Sequence, residues 1–314
     1  MEIVKSNTVN RNFIIGSEWL YYKIYTGAKT SDMILTDVLK PLTEKLIKEK
    51  QIDKWFFIRY ADPKHHIRVR FNYKHPEKIG VIINAMHTAL HTYVTEDLVW
   101  KIQIDTYQRE IERYGLKTIG ISEELFYYES KMIVDFIAMI DDTEGEELRW
   151  LFALKAMDNL LNIFDYKLSE KLHLLDTLRI SFAQEFSIQK STKKQINAKY
   201  NTHRTKISEF LDNSISNPEF QPIEEILKTN YSESKEIGKY INQLNEENGL
   251  DIPLNQLIAS YIHMLMNRIF KSKNRLHEMV CYDFLTQYYK MQTFSNSKKQ
   301  KVTVKKTDKN TISA

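Results

Sequence analysis

Residues His66–Phe71 alternate strictly between polar and apolar side chains, the pattern of a strand with two unlike faces. Ile67, Val69 and Phe71 point one way, and His66, Arg68 and Arg70 the other. Trp55–Tyr60 is a short apolar strand, and the turn-prone Asp62-Pro63 pair after it makes a hairpin of the two. The aromatic-rich stretch Trp19–Tyr25 reads as a further strand. Between them the spacing predicts a helix capped by Asp32 and running to about Lys50, with Ile34, Leu35, Val38, Leu39, Leu42, Leu46 and Ile47 on one face. Pro41 marks a kink or break in it. A helix follows Pro76, burying Ile79, Ile82, Ile83, Met86 and Leu90.

From Ser122 onward the apolar period is helical. Ser122 is a suitable N-cap, with Glu123 and Glu124 in the first turn and Leu125, Phe126, Ile133, Phe136, Ile137 and Ile140 facing inward. Further helices are expected over 146–165, 167–187, 192–212 and 222–246, and Pro253 opens a last pair over 253–272 and 274–291. The polar stretch Ile188–Tyr200 reads as a mobile surface segment. With no internal repeat and no domain-splitting linker, the expectation is a single α+β domain over 1–295. It would have an N-terminal mixed sheet, its hairpin packed on helices, and a helix-rich C-terminal half.

Composition agrees with long elements: 42% of the 314 residues are hydrophobic, and 8 Gly and 6 Pro leave little punctuation. The net charge of +4 is uneven. Residues 296–310 carry six lysines against Asp308, a net of +5 that leaves the rest of the chain at −1. The basic pI thus belongs to a solvated, poorly ordered tail (296–314), and nucleic-acid binding by the body of the protein loses its support. The single Cys281 excludes an internal disulfide and argues against a cysteine zinc site. His87 and His91 have the i, i+4 spacing of zinc ligands but lack a glutamate between them and an evident partner, so no metal is expected. Neither a signal-type apolar region nor a membrane-length apolar run is present, which places the chain in the cytoplasm and off the membrane. Phosphate-loop, dinucleotide and nucleophile-elbow motifs are absent.

Three segments carry candidate chemistry. His66, Arg68 and Arg70 on one strand face, with Arg59 on the neighbouring strand, repel one another unless anions lie between them, and guanidinium forks suit carboxylate or phosphate. An exposed face with scattered ion pairs is the equal alternative. In Tyr107–Gly115, Arg109, Glu110 and Arg113 sit at helical neighbour spacing, which by itself describes a charged surface turn ending at Gly115. On the late helix, Ile258, Ile262, Leu265 and Ile269 form the packing stripe, and Ser260, His263 and Asn267 share the adjoining face. His263 suits acid–base work near neutral pH or a purely structural hydrogen-bonding role.

Taken in this order, the segments resemble the C-terminal elimination domain of lantibiotic and thiopeptide dehydratases, the SpaB C-terminal family. The family's W-[LYF]-x-x-K-[LI]-Y strand is matched by Trp19–Tyr25, and its F-[LI]-R-Y-x-D-P-x-x-H-[IL]-R-[LIV]-R string by Phe57–Arg70. Its Y-x-x-E-x-E-R-Y-G-G is matched by Tyr107–Gly115, its F-x-x-[DE]-S by Phe126–Ser130, and its H-x-x-x-N-R by His263–Arg268. The likeness spans residues 13–291, with 145–250 matching in helical character only. Leu116 stands where the family usually has a second glycine. No counterpart of the long glutamylation domain precedes the matched region, which is similar to the split arrangement of thiopeptide pathways.

The resemblance implies β-elimination of glutamate from glutamylated Ser or Thr of a precursor peptide. It assigns catalysis to Arg68, Arg70, Arg113 and His263, and no metal or organic cofactor. Substrate contacts are expected from Arg59, Tyr60, His66, Tyr107, Tyr114, Ser260 and Asn267. The expected partners are the precursor peptide and a separate glutamylating subunit, with a homodimer left open. Two alternatives stand beside this: a pyridine synthase joining dehydroalanines by [4+2] cycloaddition, and a non-catalytic leader-peptide-binding scaffold. The intact arginine set and late histidine favour elimination.

Overall fold

The hairpin forms as the alternation requires. In the computed structural model, which describes residues 9–140, 145–212 and 218–310 and side chains to 295, its strands pair in register from Lys54↔Asn72 to Ala61↔His65. The N-terminal third runs β1 (Asn12–Phe13), β2 (Trp19–Thr26), α1 (Thr30–Met33), a π-helical segment (Ile34–Leu39), α2 (Lys40–Lys48), β3 (Lys54–Ala61) and β4 (His65–Asn72). A 3-10 turn (Pro76–Lys78) then leads into α3 (Ile79–Thr95), β5 (Val99–Asp105) and β6 (Tyr107–Gln108). The rest is helical: α4 (Ile111–Tyr114), α5 (Ile119–Ile137), α6 (Gly145–Ile163), α7 (Leu168–Glu185), α8 (Lys190–Leu211), α9 (Gln221–Glu246), α10 (Leu254–Ile269) and α11 (Asn274–Asn310). The α+β class with a helix-rich C-terminal half is as expected.

The main sheet has the order β3-β4-β2-β5, and every pairing in it is antiparallel, so it is not mixed. The reason is topological. The β2–helix–β3 unit would pair its strands in parallel, but β4 inserts between them and splits the unit. β5 and the small β1-β6 pair were not among the expected elements. One face of the sheet (Leu20, Tyr22, Ile24, Phe57, Ile67, Val69, Phe71) is fully buried in a core shared with Ile34, Leu35, Val38, Ile82, Met86 and Leu90.

At the β3 edge of the sheet α5 and α10 pack alongside, and their side chains take up the strand's backbone groups. The Phe57 amide donates to Ser130 Oγ at 3.1 Å, and its carbonyl accepts Arg268 Nε at 2.8 Å. A sheet edge sealed in this way fixes where β3 lies against α10, and so where the late helix meets the hairpin.

Four local expectations need correction. Asp32 is not a cap: it lies within α1, and its carboxylate serves Arg59 and Arg149. Pro41 falls in the first turn of α2, just past the π-helical segment, where its missing N–H costs least. Ser122 is buried one turn inside α5, donating to the Thr118 carbonyl at 2.7 Å and sharing a 2.7 Å hydrogen bond with Tyr261 Oη. Ile188–Tyr200, expected to be a mobile surface segment, does lie largely at the surface, but from Lys190 on it forms the first half of α8, with Ile196 partly buried and Tyr200 against Phe284. The expected basic tail, 296–314, lies outside the residues whose side chains are described.

Candidate active site

The outer face of β4 does not leave its cations in open solvent. The register places Tyr21, Lys23 and Tyr25 of β2 beside Arg70, Arg68 and His66, and Phe56, Ile58 and Tyr60 of β3 on the other side. Arg70 is only 8% exposed, with its guanidinium carbon 4.4, 5.1 and 4.7 Å from the ring centres of Tyr21, Phe56 and Tyr107. Its Nε has no hydrogen-bond partner. Arg68 lies 3.5 Å over the Tyr60 ring and donates its Nε–H to His66 Nε2 at 3.0 Å. His66 must then carry its hydrogen on Nδ1, which meets the Lys64 carbonyl at 2.8 Å. Burial lowers the His66 pKa, and the charges of Arg68 and Lys23 add to this, so the ring stays neutral and spaces the cations.

Aromatic faces and a neutral imidazole separate the guanidiniums. The nearby carboxylates are committed elsewhere. Asp105 pairs with Lys23 at 2.5 Å, and Glu123 with Arg109 at 2.6 Å. Arg68 and Arg70 are therefore available to an incoming anion.

Tyr107 places one of the Arg70 rings. It is buried, and its hydroxyl donates to Glu123 Oε1 at 2.9 Å. Arg109 grips the same carboxylate through Nε at 2.7 Å and Nη2 at 2.6 Å. Burial pushes the Tyr107 pKa well up, and the Glu123 charge adds to it, so the hydroxyl stays protonated. Arg113, 41% exposed, rests 3.2 Å from Glu110 Oε2 at the surface. Tyr114 is buried, stacked on Tyr261 and edge-on to Phe126. Gly115 closes this turn at φ +76°, where a Cβ would press within 3.1 Å of the Asp251 side chain.

His263 stands on α10 with half-buried Ser260 and Asn267 along the same stripe. Its Nδ1 is 2.9 Å from Glu278 Oε2, and its Nε2 is 3.0 Å from Asn267 Nδ2. It lines a cleft of about 540 Å³ together with Tyr60, His65, Asn267, Lys271 and Arg275. Tyr60 joins the two halves of the site, since one ring carries Arg68 and borders the cleft that holds His263. A second link runs through the interior: Phe56, beside Arg70, lies 5.5 Å from Phe126, whose ring is 4.7 Å from the Arg268 guanidinium on α10.

Arg59 is not on this wall. Strand alternation turns it to the opposite face, where it is buried and donates Nε–H to the Arg268 carbonyl at 3.0 Å while pairing with Asp32 at 2.5 Å. Arg149 takes the other Asp32 oxygen at 2.7 Å. Burial alone would raise the Asp32 pKa, but the charges of Arg59, Arg149 and Lys271 outweigh it and hold the carboxylate below its usual range. Arg268, Glu123, Glu129 and Glu278 are the residues that sequence reasoning did not single out. Arg268 is fully buried and pairs with Glu129 at 2.7 Å, joining α10, α5 and β3. Among the described residues no cluster of three His, Cys, Asp or Glu is arranged to hold a metal, and no helix is long and apolar enough to cross a membrane.

A sequence profile for the lantibiotic biosynthesis dehydratase C-terminal region matches residues 19–289. The chain belongs to this lantibiotic dehydratase family. It is 29% identical over 175 residues to the subtilin biosynthesis protein SpaB of Bacillus subtilis, covering 54% of this chain and 16% of that protein. To the nisin biosynthesis protein NisB of Lactococcus lactis subsp. lactis it is 30% identical over 131 residues, 41% of this chain and 13% of that one. The epidermin biosynthesis protein EpiB of Staphylococcus epidermidis matches at 22% over 267 residues, 83% of this chain and 25% of that protein. The matches thus take up a quarter or less of each of these relatives.

Solved structures share the family fold. The tRNA-dependent lantibiotic dehydratase MibB from Microbispora sp. 107891 superposes with a TM-score of 0.63 at 19% identity, over 89% of this chain and 28% of that one. TsrL gives 0.63 at 13% identity, over 86% and 94%. The pyridine synthase TbtD from thiomuracin biosynthesis gives 0.62 at 11%, over 88% and 100%. Within this dehydratase fold, Phe57–Arg70 and His263–Arg268 are the segments that build the wall and the imidazole beside the cleft.

Proposed function

We propose that this domain eliminates glutamate from glutamylated Ser or Thr side chains of a precursor peptide, leaving dehydroalanine or dehydrobutyrine. The observation that carries the proposal is a strand wall with two guanidiniums uncommitted to any carboxylate, of which Arg68 lies over the Tyr60 ring that borders the cleft of His263, while Arg70 sits farther along the strand among Tyr21, Phe56 and Tyr107. His263 Nε2 takes the Cα proton, the C–H electrons form the Cα=Cβ bond, and the Cβ–O bond breaks. The ester oxygen leaves as the carboxylate of free glutamate. Arg68 and Arg70 receive the developing negative charge, which ring-lined, water-poor surroundings make more effective. Arg113, partly exposed beside Glu110, closes on the glutamyl group from the β6–α4 side. Tyr60, Ser260 and Asn267 contact the peptide at the cleft, while buried Arg59, His66, Tyr107 and Tyr114 hold their neighbours in place.

The substrate of this step requires a prior acyl transfer, so a glutamylating activity must supply it. Identity to SpaB and NisB near 30% supports the dehydratase reading over cycloaddition, for which the likeness to TbtD supplies a shared fold. Arg70→Ala and His263→Ala test the assignment. Both variants should keep the wild-type circular dichroism spectrum and leave a synthetic glutamylated peptide intact. Normal rates of dehydration by either would refute its role.

A further inference from the structure

We infer that Glu278 is the positioning residue of His263, fixing which ring nitrogen is free to take a proton; the inference rests on the elimination reading and deepens it. Glu278 lies one turn into α11 and is 1% exposed. Its Oε2 is 2.9 Å from His263 Nδ1, and its Oε1 accepts the Tyr282 hydroxyl at 2.7 Å. Arg275 Nη1 stands 3.6 Å from Oε2. Both carboxylate oxygens are thus oriented before any substrate arrives.

An ionised carboxylate only accepts hydrogen bonds, so His263 must place its hydrogen on Nδ1 and keep the lone pair on Nε2. Asn267 agrees with this tautomer. Its Nδ2 donates to Nε2 at 3.0 Å, and its Oδ1 is held by Asn274 Nδ2 at 3.2 Å. The basic nitrogen therefore lies on the side of Asn267, which lines the cleft with His263 and Tyr60. When Nε2 takes the Cα proton, the Asn267 amide gives up its hydrogen bond to that nitrogen, and the imidazolium forms with Glu278 already placed at Nδ1. The other charged or titratable groups lining this cleft are Arg59, Asp62 and His65 from the hairpin and Lys271, Lys273 and Arg275 from the start of α11 and the loop before it. Apart from Asp62 these are cationic or ionisable bases, and Glu278 is the carboxylate that contacts the His263 ring directly.

The test uses the full chain labelled with 15N-histidine, with the His263 signals assigned by their loss in His263→Gln. The neutral ring of the wild type should show the Nδ1–H tautomer, and Glu278→Gln, whose side-chain amide can donate to Nδ1, should shift the ring toward Nε2–H, with Glu278→Asp keeping the Nδ1–H form. An Nε2–H tautomer in the wild type overturns the inference even if Glu278→Gln does not fold, as does an unchanged tautomer in a folded Glu278→Gln. With glutamylated peptide, Glu278→Gln should reduce kcat about a hundredfold at nearly constant KM, with partial rescue by Glu278→Asp. A wild-type protein that shows the Nδ1–H tautomer but releases no glutamate refutes the elimination reading and leaves the positioning role standing.

Discussion

Arg268 donates its Nε–H to the carbonyl of Phe57 across 2.8 Å, tying the late helix to the edge of the hairpin. The same side chain pairs through Nη1 with Glu129 on α5, and neither residue reaches solvent. Removing the arginine leaves a buried carboxylate and an unpaired strand carbonyl. Arg268→Ala should lower stability by about 3–5 kcal/mol in urea unfolding. A loss under about 1 kcal/mol would mean that the seam contributes little.

Glu129 also sets a pH dependence. Burial raises its pKa to about 7, against the pull of Arg268, and its Oε1 has no partner. An acid whose folded pKa is raised binds protons more tightly folded than unfolded. Its stabilising contribution is therefore complete below its unfolded value near 4.5 and is lost as pH rises through about 7. Glu129→Gln should flatten the fall in melting temperature across that window. An identical pH profile in the variant would count against a raised pKa.

Tyr107 separates packing from polarity. Tyr107→Phe keeps the ring beside Arg70 and loses only the hydroxyl's bond to Glu123, so it should cost about 1–2 kcal/mol and retain most activity. Tyr107→Ala removes the ring itself and should cost about 3–5 kcal/mol together with elimination. Equal activities in the two variants would show that the ring does not support Arg70.

Close approach of α9 to α6 depends on Gly238. A Cβ there would lie 1.9 Å from the Ile163 carbonyl oxygen, and backbone cannot yield cheaply. Gly238→Ala should destabilise by about 1–3 kcal/mol or more. Gly120, in the first turn of α5, has nothing within 4 Å, so Gly120→Ala should be neutral or stabilise by up to about 1 kcal/mol. Thermal unfolding of the pair checks the contrast.

The hairpin and the helical half were legible because their signals are local: a period of two in His66–Phe71, and i, i+3, i+4 spacing from Ser122 on. β5 carries alternation too, with Trp100, Ile102 and Ile104 against Lys101, Gln103 and Asp105, but it is an edge strand whose apolar residues are partly exposed. The electrostatic interior was not legible. Nothing local marks Glu123, Glu129, Arg149 or Glu278 as paired, because their partners Arg109, Arg268, Asp32 and His263 lie 14 to 139 residues away and only the fold brings them together. Arg59 shows the converse. Its place on the strand neighbouring Arg68 and Arg70 suggests a shared wall, whereas pairing with Ile67 turns it to the other face.

A guanidinium wall at Arg68 and Arg70 that accepts a departing carboxylate is what the account depends on. Its most direct test is to incubate the purified protein with a synthetic glutamylated peptide and follow peptide mass and free glutamate together. One glutamate released for each dehydro residue formed, abolished by Arg70→Ala, is the predicted result. A glutamylated peptide left unchanged by the wild type, or ring formation from an already dehydrated peptide, would contradict it.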